Sequence, residues 1–203
     1  LILIRNTTIR IRNSDCHGNV GLVGGCLSMI SSTAELQNVT FRQNSVENDG
    51  AALEIVQSDV SVSQCTFLDN SATNGGSIYI GLQSQLEMED SICANGTGRS
   101  NGGCIFCINN EHNVLQLRNV TMEENTAGET GGAISLFFRC SASIANSTFE
   151  SNSALNDGGA IFLSNSELTL SNVTLNTNFA NDSGGAVHVL ESDVNAVDVA
   201  LFG

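Results

Sequence analysis

Apolar and polar residues alternate in short bursts that return at a near-constant interval. Ile9/Ile11, Ala34/Leu36, Val60/Val62, Leu86/Met88, Leu115/Leu117, Ala142/Ile144, Leu168/Leu170 and Val194/Ala196 are eight such pairs. Five residues beyond each pair stands one further apolar residue: Cys16, Phe41, Phe67, Cys93, Met122, Phe149, Leu175 and Leu201, spaced by 25, 26, 26, 29, 27, 26 and 26 residues. Period-two alternation held in one register predicts half-buried strands. A third alternating pair, from Leu27/Met29 through Ile78/Ile80 and Ile134/Leu136 to Val187/Val189, closes each interval and predicts a third strand.

The breaks between strands have their own pattern. Three residues before each marker stand Asn13, Asn38, Gln64, Asp90, Asn119, Asn146, Asn172 and Asp198; three after stand Asn19, Asn44, Asn70, Gly96, Asn125, Asn152 and Asn178. Asn tolerates left-handed φ, so both columns are expected at corners. Gly pairs such as Gly131-Gly132 and Gly158-Gly159 open the third strand where a side chain would obstruct the turn.

Three short strands per repeat and no helical periodicity predict an all-β fold: a right-handed parallel β-helix of about 7–8 coils, each of 25–29 residues. At about 4.8 Å per coil the rod is roughly 35–40 Å long. No capping segment is evident at either end, so residues 1–203 are expected to be one segment of a longer solenoid protein.

The element Phe41…Asn44, Phe67…Asn70 and Phe149…Asn152, followed by Gly-Gly-Ala-Ile at 131–134 and 158–161, resembles the repeat of chlamydial polymorphic outer membrane proteins, and this resemblance runs through essentially the whole chain. It implies a pectin-lyase-like β-helix in a secreted or surface-displayed rod, often adhesive, and carries over no catalytic residues. The chain departs from those proteins in having no Lys, no visible signal sequence and no barrel.

Charge narrows the partners. Seven Arg against 21 Asp and Glu give a net charge of −14, which disfavours nucleic acid and anionic lipid. No apolar run is long enough to insert in a membrane. The expected partners are other protein chains or surface glycans, and the expected location is extracellular or at the cell surface.

Cysteine placement carries information between repeats. Only two coils have Cys at the marker, Cys16 and Cys93, and the same two have Cys after the Gly pair, Cys26 and Cys104. The paired change points to disulfides Cys16–Cys26 and Cys93–Cys104, against the alternative of small core fillers, and disulfides imply an oxidising compartment. Cys65, Cys107 and Cys140 remain, with Cys107–Cys140 one open pairing. A lone Cys104-x-x-Cys107 lacks the second pair a zinc site needs.

Asn-x-Ser/Thr occurs at Asn6, Asn38, Asn95, Asn119, Asn146, Asn172 and Asn181. An Asn corner before a Thr-bearing strand generates such triplets by itself. In a eukaryotic secreted protein they are N-glycosylation candidates. Asn, Gln and Asp interchange in the corner column that holds four of them, which suits exposure.

Candidate chemistry is sparse. Glu87 and Glu89 point outward with Arg118 one coil away, which could be a glycosidase pair, but solvated neighbours on a strand read better as an ion pair between coils. His17, His112 and His188 share no column. Loop carboxylates such as Glu47, Asp49 or Asp157 leave weak calcium binding as the one cofactor expectation. The Thr40, Thr66, Thr121, Thr148 and Thr174 file is broken by Asp15, Ile92 and Ala200, which argues against a flat ice-binding face. Tyr79, Phe106, Ser135, Phe162 and His188 form an outward stripe beside the Gly pairs; its rings are contact-surface candidates unless the connection Asn109–Asn113 covers them. The function expected is a structural or adhesive extracellular rod. A carbohydrate-binding or carbohydrate-active β-helix is the alternative.

Overall fold

The computed structural model describes residues 2–109 and 112–203. Among these residues regular structure is entirely β, in three parallel sheets of 8, 7 and 11 strands stacked as a solenoid of about eight turns. The pairing register follows the apolar columns residue for residue. Leu36 pairs with Val62, Phe41 with Phe67, and Leu53 with both Leu27 and Ile78. A slip of one residue would turn every apolar side chain outward, so burial of one face fixes the register.

The interior is filled by these columns. Leu36, Leu53, Ile78, Leu86 and Phe149 are buried in one continuous core, and the Phe41 and Phe67 rings stack at 4.9 Å, the spacing of adjacent coils. Burying such a side chain contributes about 1.5–3 kcal/mol. One coil offers too few of them; the stack supplies the rest.

The first and second strands are not separate sheets. Thr33–Arg42, Cys140–Glu150 and Glu167–Asn176 each run as one strand through the first Asn column. That column lies in the left-handed region, from Asn13 at φ 49° to Asp198 at 54°, and bends the sheet without ending it. The second Asn column is a correction. Its residues have ordinary φ; the left-handed residue is the one before, Gln43, Asp69, Asn95, Glu124, Ser151 or Thr177. A short strand the alternation was too brief to reveal follows, as at Ser45–Val46 and Ser153–Ala154.

With the bend shifted by one residue, the second Asn column points inward. Asn44, Asn70, Asn125 and Asn152 are fully buried. Each Oδ1 accepts from the coil before it, as Asn152 Oδ1 does from Asn125 N (3.0 Å) and Nδ2 (2.9 Å). Each Nδ2 also reaches back to a marker carbonyl, as Asn125 does to Cys93 (3.0 Å) and Asn152 to Met122 (2.9 Å). The ladder breaks at Gly96, where Asn70 Nδ2 donates instead to Ser77 Oγ at 3.3 Å. A second internal file, Ser32, Ser58 and Ser84, accepts backbone N–H groups at the corner after the third strand: Thr7 N–H bonds Ser32 Oγ, Ser32 N–H bonds Ser58 Oγ, and Ser58 N–H bonds Ser84 Oγ. Among the described residues no buried side-chain nitrogen or oxygen lacks a partner, as close packing of polar groups demands.

The Gly pairs do two jobs. Gly131 sits at φ +62°, while a Cβ on Gly132 would lie 2.1 Å from the Gly159 carbonyl oxygen of the next coil. The first Gly is required by conformation and the second by close approach.

Candidate functional site

Two outer surfaces concentrate chemistry. The first is the face of the 11-stranded sheet, where outward residues of six successive coils line an open groove of about 790 Å³ along the rod. Its charges are paired between coils: Arg10 and Arg12 both hold Glu35, at 2.8 and 2.7 Å, and Arg118 holds Glu89. Glu87 accepts from Gln85 Nε2 on its own strand at 2.7 Å. The Arg12 and Arg10 hydrogen bonds hold the Glu35 carboxyl below the usual carboxylate range, and Arg42 does the same for Asp15. Glu87 and Glu89 thus share an open face, each with a polar partner, and nothing encloses them to set up an acid and a base.

The second surface lies where the third strand meets the corner that follows it. Tyr79, Phe106, Ser135, Phe162 and His188 occupy one column by register. They stand outside the solenoid, as alternation requires, but they are not an exposed file. Phe106 and Phe162 are 5% exposed and Ser135 is fully buried. Alternation reports which side of a sheet a residue takes, and here the rings cover one another. Phe106 lies 6.0 Å from Tyr79 and 5.7 Å from Phe137, Phe137 lies 5.1 Å from Phe162, and Phe162 lies 5.4 Å from His188. Tyr79 and His188 are half-buried; burial, with Asp49 and Glu54 nearby, pushes the Tyr79 pKa up. His188 Nδ1 lies 3.3 Å from Asp157. The proposed covering connection includes Asn110 and Glu111, which lie outside the described residues.

What this column leaves exposed is its rim. Among the described residues the following corner is turned by one left-handed residue at Ser31, Gln57, Asn165 or Glu191, and by a pair at Leu82-Gln83 and Phe138-Arg139. Leu82 (φ 46°) and Phe138 (φ 52°) hold a conformation costing an L-residue about 1–2 kcal/mol. They are also 52% and 44% exposed. The apolar periodicity did not single them out because they fall in a connection.

All six cysteines other than Cys65 are bonded: Cys16–Cys26, Cys93–Cys104 and Cys107–Cys140, with Cα separations of 6.2, 6.3 and 6.3 Å. The first two cross the interior of their own coils, and the third ties one coil to the next at the widened corner. Cys65 is buried, and burial pushes its thiol pKa up, so it behaves as a core residue.

The Asn of each of the seven triplets is exposed. In the bend column Asn38 donates to Asn13 at 2.8 Å, Asn119 to Asp90 at 2.7 Å and Asn172 to Asn146 at 2.9 Å, a solvent-facing ladder between coils. Among the described residues no group of three His, Cys, Asp or Glu is placed to hold a metal, and no helix is long and apolar enough to cross a membrane.

Comparison with known proteins picks out the same geometry. Residues 64–81, 119–136 and 146–164 match the repeat of the Chlamydia polymorphic membrane protein family. Each stretch runs from the bend column, through the marker and the inward Asn, across the Gly pair and into the third strand. No curated protein and no solved structure gives a significant match. That family is one of surface-associated outer-membrane proteins, which is consistent with a cell-surface location. The three repeat matches and the β-solenoid together fit a β-helix family of the polymorphic membrane protein type.

Proposed function

We propose that this chain is a stiff segment of a surface-displayed or secreted protein, holding a protein or glycan partner away from the surface that bears it. The observation that supports this most directly is the uninterrupted stack. About eight turns share one core, two internal polar ladders and three disulfides. Such an object spans about 35 Å, resists bending and gains length by adding coils. Buried disulfides suit an oxidising compartment. In a eukaryotic secretory pathway the exposed Asn38, Asn119, Asn146 and Asn172 would be glycan acceptors along one edge, with neighbouring coils not occupied together.

The test has two arms. Protease shaving and antibody binding on intact cells of the source organism should reach the segment, and beads coated with the folded chain should adhere to cells or matrix above an uncoated control. Failure of both refutes the adhesive reading. The groove on the 11-stranded sheet favours one second reading, binding of an extended polysaccharide along six coils. Retention on a polysaccharide column, lost in Glu87→Gln/Glu89→Gln, would establish it. Release of reducing or unsaturated ends would make it an enzyme.

A further inference from the structure

In each coil the interior corner between the marker and the third strand is filled by two facing side chains, the marker and the residue after the Gly pair. In two coils these are Met122 with Ala133 and Phe149 with Ala160, all buried. In the coil whose marker is Cys93 they are Cys93 and Cys104, both fully buried and bonded to each other. Cys93 pairs in register with Phe67 on one side and Met122 on the other, and Cys104 N–H donates to the Ala133 carbonyl at 2.9 Å. The disulfide therefore stands where neighbouring coils place an apolar pair. Two separate thiols are smaller than Met with Ala or Phe with Ala, and would leave that corner under-filled.

The same coil lacks the other closure of that corner. Gly96 supplies no inward amide, and none fits: a Cβ there would lie 2.3 Å from the Gly103 carbonyl oxygen and 2.8 Å from Asn125 Oδ1. The first coil is the contrast. It carries Cys16–Cys26 but keeps Asn19, whose Nδ2 donates to Asn44 Oδ1 at 2.9 Å. The Cys93 coil thus replaces both its core pair and its amide by one covalent bond. We infer that Cys93–Cys104 is an oxidation latch. With the two thiols free, the coils on either side stack while the corner spanning residues 94–103 stays open; forming the bond closes it. The oxidant is a disulfide, small or protein-borne. One Cys thiolate attacks it and releases a thiol, and the second Cys displaces the other half, so the oxidant ends as two thiols and the chain as one disulfide. The rod is complete only where such an oxidant prevails, which couples its last folding step to an oxidising compartment, with or without an adhesive role.

The test refolds the whole chain from denaturant with excess glutathione disulfide or excess dithiothreitol and follows amide hydrogen exchange. The reporters are Thr97 and Thr126, whose N–H groups bond the Asn70 and Gly96 carbonyls. In the thiol-refolded parent both should exchange about a hundredfold faster or more, the factor that closing a loop of this length implies. The Ile161 amide, bonded to Ala186 in a distant coil, should stay protected. Cys93→Ser/Cys104→Ser refolded with disulfide should reproduce the open corner, whereas Cys107→Ser/Cys140→Ser and Cys16→Ser/Cys26→Ser should leave it closed. Cys93→Met/Cys104→Ala, which installs the core pair of the next coil, should close the corner with either reagent. Thr97 and Thr126 as protected in thiol as in disulfide overturn the inference, as does opening by Cys107→Ser/Cys140→Ser equal to that by Cys93→Ser/Cys104→Ser. A Met/Ala variant folded elsewhere but open at this corner overturns the bond as a stand-in for the core pair. If that variant does not fold, the Ser pairs and the thiol-refolded parent decide.

Discussion

Replacing Asn152 by Ala should be far more damaging than replacing Asn172, although both are repeat asparagines on the same strand-to-corner path. Asn152 is fully buried, and its Oδ1 accepts both the backbone N–H and one side-chain hydrogen of Asn125. Removing the amide strands two donors in an apolar interior and takes one donor from the Met122 carbonyl. A buried donor left without a partner costs about 1–3 kcal/mol, so the expected loss is about 4 kcal/mol. Asn172 offers only a solvent-facing bond to Asn146 and a tolerance of left-handed φ, worth about 1 kcal/mol. Urea unfolding with linear extrapolation measures both. Hydrogen exchange adds a local readout, since the Asn125 amide should lose about a thousandfold of protection in Asn152→Ala. A cost for Asn152→Ala no larger than that for Asn172→Ala, or an Asn125 amide as protected as before, would refute the internal ladder as a source of stability.

Loop closure alone predicts that losing Cys107–Cys140, with a sequence separation of 33, costs about 3.7 kcal/mol, and losing Cys16–Cys26, with a separation of 10, about 2.7 kcal/mol. Paired Cys→Ser variants in chemical denaturation check the order, and alkylation of native protein should leave Cys65 unlabelled. Gly132→Ala should abolish soluble expression or lower stability by more than about 4 kcal/mol, because its Cβ meets a backbone oxygen at 2.1 Å. Gly18→Ala has open space and a φ of +66°, and should cost about 1 kcal/mol. The Glu35 carboxyl should titrate below the usual carboxylate range by NMR and move back up in Arg10→Ala/Arg12→Ala. Because its folded pKa is depressed, any contribution is present above the unfolded carboxylate value and lost as pH falls through the folded one. Expressed in a secretory host, the chain should show by intact mass that Asn146 and Asn172 are not both glycosylated on one molecule. Adjacent coils lie only about 4.8 Å apart, too close for two glycan stems.

The columns legible in the sequence are those whose spacing is fixed by stacking: the eight markers and the strand pairs around them pair as their alignment requires. Disulfide partners were legible in two coils because two columns changed together; Cys140 changes alone in a serine column, which leaves no such trace. The two Asn columns look alike in one coil and differ only across coils. The bend column accepts Gln64, Asp90 and Asp198, while the inward column offers Asn or a single Gly. A carboxylate is tolerated in water and costly inside, so that contrast was the available signal for the ladder. The aromatic column misled for a different reason. Period two states which side of the sheet a ring takes, and says nothing about how many neighbouring rings cover it.

The single Gly in the inward column has a mechanical meaning. Each buried Asn amide bonds both the coil before and the coil after, so neighbouring turns are coupled across three layers and must yield together. At Gly96 that coupling is interrupted, and Asn70 turns to a serine of its own coil. The coil carrying Gly96 is also the one crossed by Cys93–Cys104 and tied onward by Cys107–Cys140. Neither bond crosses the seam between the Asn70 coil and the Gly96 coil; both covalent ties lie on its far side. Under tension the rod should therefore yield first at that seam, oxidised or reduced, parting into two blocks of which the one bearing Gly96 is stiffened by its disulfides.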